Sequence, residues 1–270
     1  MENKNKVRLS PEQETLLITM YSKGNPDNPF IEDPKAREIL RQIDYDFSGL
    51  QVPWGTYSTV SMRAKKMDND TLDFIQKHPH GLVIHLACGL DSRYDRLGKP
   101  PITWIDLDFP SVIKLRRNFY DETEYYQMLA SSVTDLEWVN SILKTDQPVL
   151  ILAEGLFMYL KEEEVKSLLK KLSEHFKQFN IIFDAFSELT ARKVKDHPSI
   201  QQTGATIHWG IDDPWQMENW IEGLQFTDQW FFKDCIDIRK LSFTYRLIFK
   251  ISGWFKIARN AHRVLYFTYQ

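Results

Sequence analysis

The chain has 270 residues, 43% hydrophobic and 26% charged, ordinary globular proportions that exclude a disordered tail, a collagen-like chain or a coiled coil. Thirty-four basic against thirty-seven acidic residues leave a net charge of −3, so no global basic excess points to nucleic acid. Two distant cysteines, Cys88 and Cys235, argue against a disulfide framework and a cysteine-based zinc site, and favour a reducing, cytoplasmic setting.

The stretch MENKNKVRLSPEQ carries no apolar signal-peptide core, and no run approaches the ~18 apolar residues of a membrane span. The first eighty residues read as helical. Leu16, Leu17, Met20 and Tyr21 recur at helical spacing. Asp33-Pro34 reads as a cap followed by proline at a first helical position. Val60, Ala64, Met67, Leu72 and Ile75 predict a helix over 59–76, broken by the HPHG that follows. After Gly81 short apolar runs alternate with helical patterns. Strands are expected at 82–87, 102–105, 125–129, 148–153 and 180–184, and helices at 110–120, 135–143 and 162–176. This alternation predicts βαβ units and a doubly wound, mostly parallel α/β sheet. In such sheets ligands bind beyond the carboxyl ends of the strands.

Three strand ends carry suggestive residues. The first runs into Ala87-Cys88-Gly89-Leu90-Asp91-Ser92-Arg93, where Gly89 permits a tight turn close to a ligand. The second ends at Asp106-Leu107-Asp108; Asp108 lies nineteen residues past Gly89, near the spacing at which a carboxylate meets a ribose diol. The fourth ends at Glu154-Gly155. A nicotinamide dinucleotide needs a pyrophosphate seat, but Ala87 and Ser92 stand at the first and third glycine positions and Asp91 would repel the anion. S-adenosylmethionine has no phosphate and carries a sulfonium cation, so the pattern favours it. An NAD-type oxidoreductase and a non-catalytic binding module remain as alternatives. An α/β turn with a glycine and a capping aspartate is also compatible with a purely structural role.

Four segments in order are more specific: 83–93, WIDLDFP with the following SVIKLRR (104–117), LAEGLFMYL (152–160) and IHWGIDDP (207–214). Over about residues 15–231 the chain resembles the leucine carboxyl methyltransferase family and its bacterial branch of tetracenomycin-type polyketide O-methyltransferases. The resemblance implies a class I, Rossmann-like methyltransferase fold and S-adenosylmethionine as cofactor. It implies that Ala87-Cys88-Gly89, with Asp91 and Arg93 behind, form the cofactor turn. Asp108 would hold the ribose, with Asp106 at the preceding acidic position; Ser132 and Val133 would lie at the adenine, and Glu154 after the fourth strand. Arg63 would hold the cofactor's carboxylate, since its fork can bond both oxygens; the alternative is a solvated basic face with Lys65 and Lys66. Lys23 is the matching basic residue of an N-terminal lid. Ala87 departs from the family's glycine, adding a methyl group, and Ser132 from its carboxylate.

These readings divide the chain into a helical lid (1–80), a cofactor-binding core (81–186), a substrate cap inserted toward the C-terminus (187–230) and a strand-and-helix segment completing the core (231–270). The acceptor is expected to be a carboxylate of a small molecule or a peptide end. Such an acceptor is ionised already and needs no base, whereas a phenol with a pKa near ~10 would. Tyr159 and His208 are the candidate catalytic residues; beside Trp209, His208 also reads as structural. His85 reads as a core histidine, and Cys88 as a buried thiol. The cap aromatics Trp209, Trp215, Trp220, Phe226 and Trp230 either cover an apolar acceptor or pack the cap. Residues 1–237 carry a net charge of −10, while 238–270 hold seven basic residues and no acidic one. That end either meets an anionic partner or membrane surface, or is simply a solvated face.

Overall fold

The computed structural model describes residues 16–47, 50, 52–194 and 206–270. Residues 1–15 and 195–205, the second within the span read as a cap, lie outside them, as do 48–49 and 51. Seven strands form one sheet: β1 (Leu82–Leu86), β2 (Thr103–Asp108), β3 (Tyr126–Ala130), β4 (Val149–Ala153), β5 (Phe179–Phe186), β6 (Leu224–Phe231) and β7 (His262–Tyr269). Their order is β3-β2-β1-β4-β5-β7-β6. The first five are parallel, and β7 runs antiparallel to both neighbours. This is the class I methyltransferase arrangement.

Successive residues of a strand face opposite sides, and each side has its own core. Ile84, Leu86, Ile151 and Ala153 face one layer, where α6 (Glu137–Ser141) and α7 (Glu162–His175) pack. Val165, Leu168, Leu169 and Leu172 form the i, i+3, i+4, i+7 stripe of α7 and are fully buried there, each worth about 1.5–3 kcal/mol. Val83, Leu150 and Leu152 face the other layer, built by α1 (Leu16–Gly24), α2 (Pro34–Gln42), α3 (Trp54–Lys77), α4 (Arg93–Arg96) and α5 (Pro110–Arg116). Asp33 caps α2 as expected, its Oδ1 accepting from Ala36 N at 2.9 Å.

The strand β7 and the helices before it fall in the 231–270 segment read as a strand and helix completing the core, whereas β6 has no counterpart in the sequence reading. Residues 224–231 belong to the sheet, so the expected cap narrows at that end, and Phe226 and Trp230 lie on a strand. Between β6 and β7 the chain leaves the sheet through α9 (Phe243–Trp254) and α10 (Lys256–Asn260). The helix α8 (Glu188–Val194) follows β5.

Candidate active site

All the singled-out strand-end residues meet at one edge of the sheet. After β1 the backbone makes two left-handed steps, Ala87 at φ 49° and Gly89 at φ 55°. A side chain on Gly89 would meet Leu16 Cδ2 of α1 at 3.2 Å, so the turn needs glycine for conformation and for space. Ala87 has no such freedom and holds a conformation that costs an L-residue roughly 1–2 kcal/mol. The turn is fastened to β2 by Asp108, whose Oδ2 accepts from Gly89 N at 2.7 Å and Oδ1 from Phe109 N at 2.7 Å. Burial pushes the Asp108 carboxyl up, against the pull of those two amides and Arg116. Each oxygen keeps a lone pair for a diol.

Asp106, two residues earlier, serves the fold. It accepts from Arg116, from the Tyr126 hydroxyl at 2.6 Å and from Trp104 Nε1 at 2.8 Å. Burial raises its pKa, but Arg116, His85 and Tyr126 outweigh that and hold it at about 2. His85 is as buried as expected, and it also links charged groups. Arg93 Nη1 stands 3.1 Å from its Nε2, and Asp106 Oδ1 3.3 Å from its Nδ1. A guanidinium only donates, so Nε2 accepts and the ring proton sits on Nδ1, facing Asp106.

Arg63 projects from α3 into the same place. Its Nε and Nη2 each lie 3.1 Å from Glu154 Oε1, and its Nη1 2.6 Å from Asp184 Oδ2. Arg63 is thus buried and paired, unlike a solvated basic face. Gly155, at φ 65°, gives it room: a Cβ there would lie 3.3 Å from Nη2. Glu154 also pairs with Arg93, which reaches Asp68 at 2.8 Å. Burial works against ionisation of Glu154, but Lys23, Arg63 and Arg93 outweigh it and hold the carboxyl at about 2.

Lys23 of α1 is buried, its Nζ 2.7 Å from Asp91 Oδ2; Arg96 holds the other oxygen at 2.9 Å. Arg96 also bonds Asp33 at 2.8 Å, and Ser92 Oγ donates to Asp33 at 2.6 Å. The helices α1 and α2 are therefore tied to the turn after β1 by charge as well as by packing. Burial disfavours an ionised Asp91, yet Arg96, Lys23 and Arg93 hold its pKa well below the usual carboxylate range.

Cys88 is buried and its thiol is pushed far up by desolvation, so it is no nucleophile. Ser132 and Val133 follow β3; Val133 is buried, and the half-buried Ser132 hydroxyl pairs with Thr134 Oγ1 at 2.8 Å. Tyr159 lies 37% exposed after β4. Burial of its ring raises the phenol pKa; Arg63 lowers it and Asp184 raises it, which sets the phenol near that ion pair. His208 is exposed, but its backbone N donates to Met158 O at 2.8 Å, bringing IHWG beside the Tyr159 segment. Neither side chain has a hydrogen-bond partner among the described residues.

Two residues not singled out for the site also converge here. Asp184, at the end of β5, accepts from Gly155 N at 2.6 Å and pairs with His262 Nε2 at 2.6 Å, besides Arg63. The NIIFD run ending the fifth strand was a signal for Asp184; nothing in the sequence ties it to His262. Of the cap aromatics, Trp209 and Trp220 pack into the core beside Phe157 and Phe183, whereas Trp215 is exposed.

A model of the leucine carboxyl methyltransferase family matches residues 15–173. The chain belongs to the leucine carboxyl methyltransferase family. It is 38% identical over 228 residues to the tetracenomycin polyketide synthesis O-methyltransferase TcmP of Streptomyces glaucescens, covering 83% of this chain and 84% of that one. It is 32% identical over 282 residues to the S-adenosyl-L-methionine-dependent methyltransferase dpfgK of Gibberella zeae, covering 94% of each. Among solved structures a DUF574-family protein from Streptomyces avermitilis shares the fold, with a TM-score of 0.58 at 12% identity over 97% of this chain and 100% of that one. This family member is an S-adenosylmethionine-dependent O-methyltransferase, which removes the dinucleotide and non-catalytic readings.

The residues present fit that cofactor by charge. Lys23, Arg63, Arg93 and Arg96 interlock with Asp33, Asp68, Asp91, Glu154 and Asp184, leaving one carboxylate in excess when the histidines are set aside. S-adenosylmethionine brings an ammonium, a carboxylate and a sulfonium, one positive charge net. A pyrophosphate would add negative charge to an already negative cluster. No helix among the described residues is long and apolar enough to cross a membrane, and none of their side chains form a metal-ligating group of three.

Proposed function

We propose that the enzyme methylates a carboxylate oxygen. The observation that carries this reading is Tyr159: a phenol whose burial raises its pKa, within the field of Arg63, half-exposed and with no hydrogen-bond partner among the described residues. A protonated phenol is a donor for an anionic oxygen and a poor base. An ionised acceptor needs orientation at near-attack distance more than proton removal. The description of the family, leucine carboxyl methyltransferase, supports the same choice.

In this reading the cofactor side is formed by Arg63, Ala87, Cys88, Gly89, Asp91, Asp108, Ser132, Val133 and Glu154. Asp108 takes the ribose diol, and the Ser132 hydroxyl accepts from the adenine amine beside Val133. Arg63 takes the cofactor's carboxylate, with Glu154 and Asp91 balancing its positive groups. S-adenosylmethionine, when bound, supplies a methyl group activated by its sulfonium. Tyr159 and His208 orient the acceptor, 1–80 acts as the lid, and the segment from 187 to the start of β6 borders the acceptor. Small-molecule and peptide carboxylates both suit an opening of this kind.

One observation favours a second reading: TcmP acts, by its name, in polyketide synthesis, and a phenol acceptor would draw on His208 as base. The product separates the two. With labelled S-adenosylmethionine, carboxylate methylation gives a product cleaved by mild alkali, and kcat shows no base-like rise between about pH 6 and 9. An alkali-stable ether, with kcat collapsing in His208→Ala, overturns the carboxylate reading.

A further inference from the structure

We propose that the excursion between β6 and β7 is a docking surface for an anionic lipid bilayer. Its helix α9 is apolar on two sides. Tyr245 stacks on Trp54 at 3.6 Å and Phe249 packs in the cluster around Phe30, Met62 and Phe232, which accounts for the inward side. At 100° per residue, Phe243, Leu247, Ile251 and Trp254 fall within an arc of about 80° on the opposite side. All four are exposed, Phe243 at 71% and Trp254 at 74%. Phe255 and Ile257 extend the ridge into α10.

The cations flank this ridge. Arg246 and Lys250 project beside it, and with Lys233, Arg239, Phe249 and Trp254 they line a cleft of about 650 Å³. Asp234 and Asp237, on the stretch just before α9, are paired with Lys233 and Lys240. Arg239, Arg246, Lys250 and Lys256 have no carboxylate partner among the described residues. Exposed Trp and Phe next to unpaired Lys and Arg are the signature of a helix lying in a bilayer interface, its ridge among the acyl chains and its cations on the headgroups. Twelve residues are too few to span a bilayer.

Charge argues against other occupants. A twofold contact with a second copy would set Arg246 and Lys250 near their own equivalents. The core of a protein interface is depleted of lysine, whereas this surface carries Lys233, Lys240, Lys250 and Lys256.

The surface also has a useful position. β6 leaves the sheet at Phe231, paired with Arg263, and β7 re-enters at His262, paired with Phe186 at the carboxyl end of β5. The excursion therefore stands at the edge that holds the site, so docking would bring that edge of the sheet to the bilayer. The inference does not depend on whether the acceptor is a carboxylate.

The test is flotation with vesicles of phosphatidylcholine containing about 30% phosphatidylglycerol, at about 50 mM salt where screening is weak. The protein is expected to float with these vesicles and at least about tenfold less with pure phosphatidylcholine or at 0.5 M salt. Leu247→Ser/Ile251→Ser/Trp254→Ser and, separately, Arg246→Glu/Lys250→Glu should each lose at least about tenfold with an unchanged melting temperature. The second pair changes only exposed charges, so it reads the surface even where the first disturbs folding. Absence of flotation, or equal flotation with neutral vesicles, overturns the proposal. So does a wild-type dimer in sedimentation that the serine variant converts to a monomer.

Discussion

On the side of the site made by α1, α3, the β1 turn and the ends of β4 and β5, charged side chains interlock. Arg63 answers Glu154 and Asp184, Arg93 answers Glu154 and Asp68, and Lys23 answers Asp91. On the side made by Tyr159 and His208, neither side chain has a partner among the described residues. A cofactor of fixed shape and charge can be met by a preorganised, desolvated network. An acceptor is met by groups left free to bond it. The contrast implies that damage to the first side shows in folding and cofactor affinity, and damage to the second in turnover.

The largest effect should come from Arg93, fully buried among Glu154, Asp68 and His85. Arg93→Ala leaves buried charges uncompensated and should cost about 3–5 kcal/mol of stability by urea denaturation. A loss below about 1 kcal/mol would mean that the network is solvated and the contrast overdrawn.

Arg63 sharpens the comparison within the cofactor side. Arg63→Ala should weaken S-adenosylmethionine by roughly 10- to 100-fold, the scale of bonds to a charged group. It should weaken 5′-methylthioadenosine, which lacks the carboxylate, hardly at all. Equal losses in calorimetry would assign Arg63 to the fold alone.

Acid should break the network before the rest of the sheet. Glu154 sits at about 2 in the folded protein because Lys23, Arg63 and Arg93 outweigh its burial. Its folded pKa lies below the unfolded value near ~4.3, so its contribution is complete above that value and lost as pH falls toward 2. Melting temperature should fall across this window, and less steeply in Glu154→Gln. Parallel slopes in the two proteins would remove Glu154 from the account.

The smallest effect concerns Ala87, held at φ 49°. Ala87→Gly relieves the left-handed strain but loosens the unfolded chain, so stability should rise by less than about 1 kcal/mol. A clear loss in thermal melting would show that the alanine methyl is needed for packing.

Much of this contrast was legible beforehand because it follows local rules. The strands before Gly89, Asp108 and Glu154 stand out as short apolar runs, and the residues after them mark the ligand edge. Lys23 and Arg63 emerged only through family resemblance: the Arg63–Glu154 contact spans 91 residues and leaves no periodic trace. A strand within 231–270 is expected from the sequence, but β6 and its pairing with β7 are not, for a related reason. The two strands are antiparallel and separated by the excursion 232–261, so no short turn announces the pair. His262 meets Asp184 across 78 residues and is invisible without that pairing. Gly155 reads as an ordinary turn glycine until Arg63 is seen lying against it.

The most direct test is calorimetric titration of S-adenosylmethionine into wild type, Asp108→Ala and His208→Ala without an acceptor. The account predicts one site in the wild type and a loss of about 1.5–3 kcal/mol in Asp108→Ala, from the bonds of a charged carboxylate to the diol. His208→Ala should bind as the wild type does. Unchanged affinity in Asp108→Ala, or an equal loss in His208→Ala, would contradict the division between the cofactor side and the acceptor side.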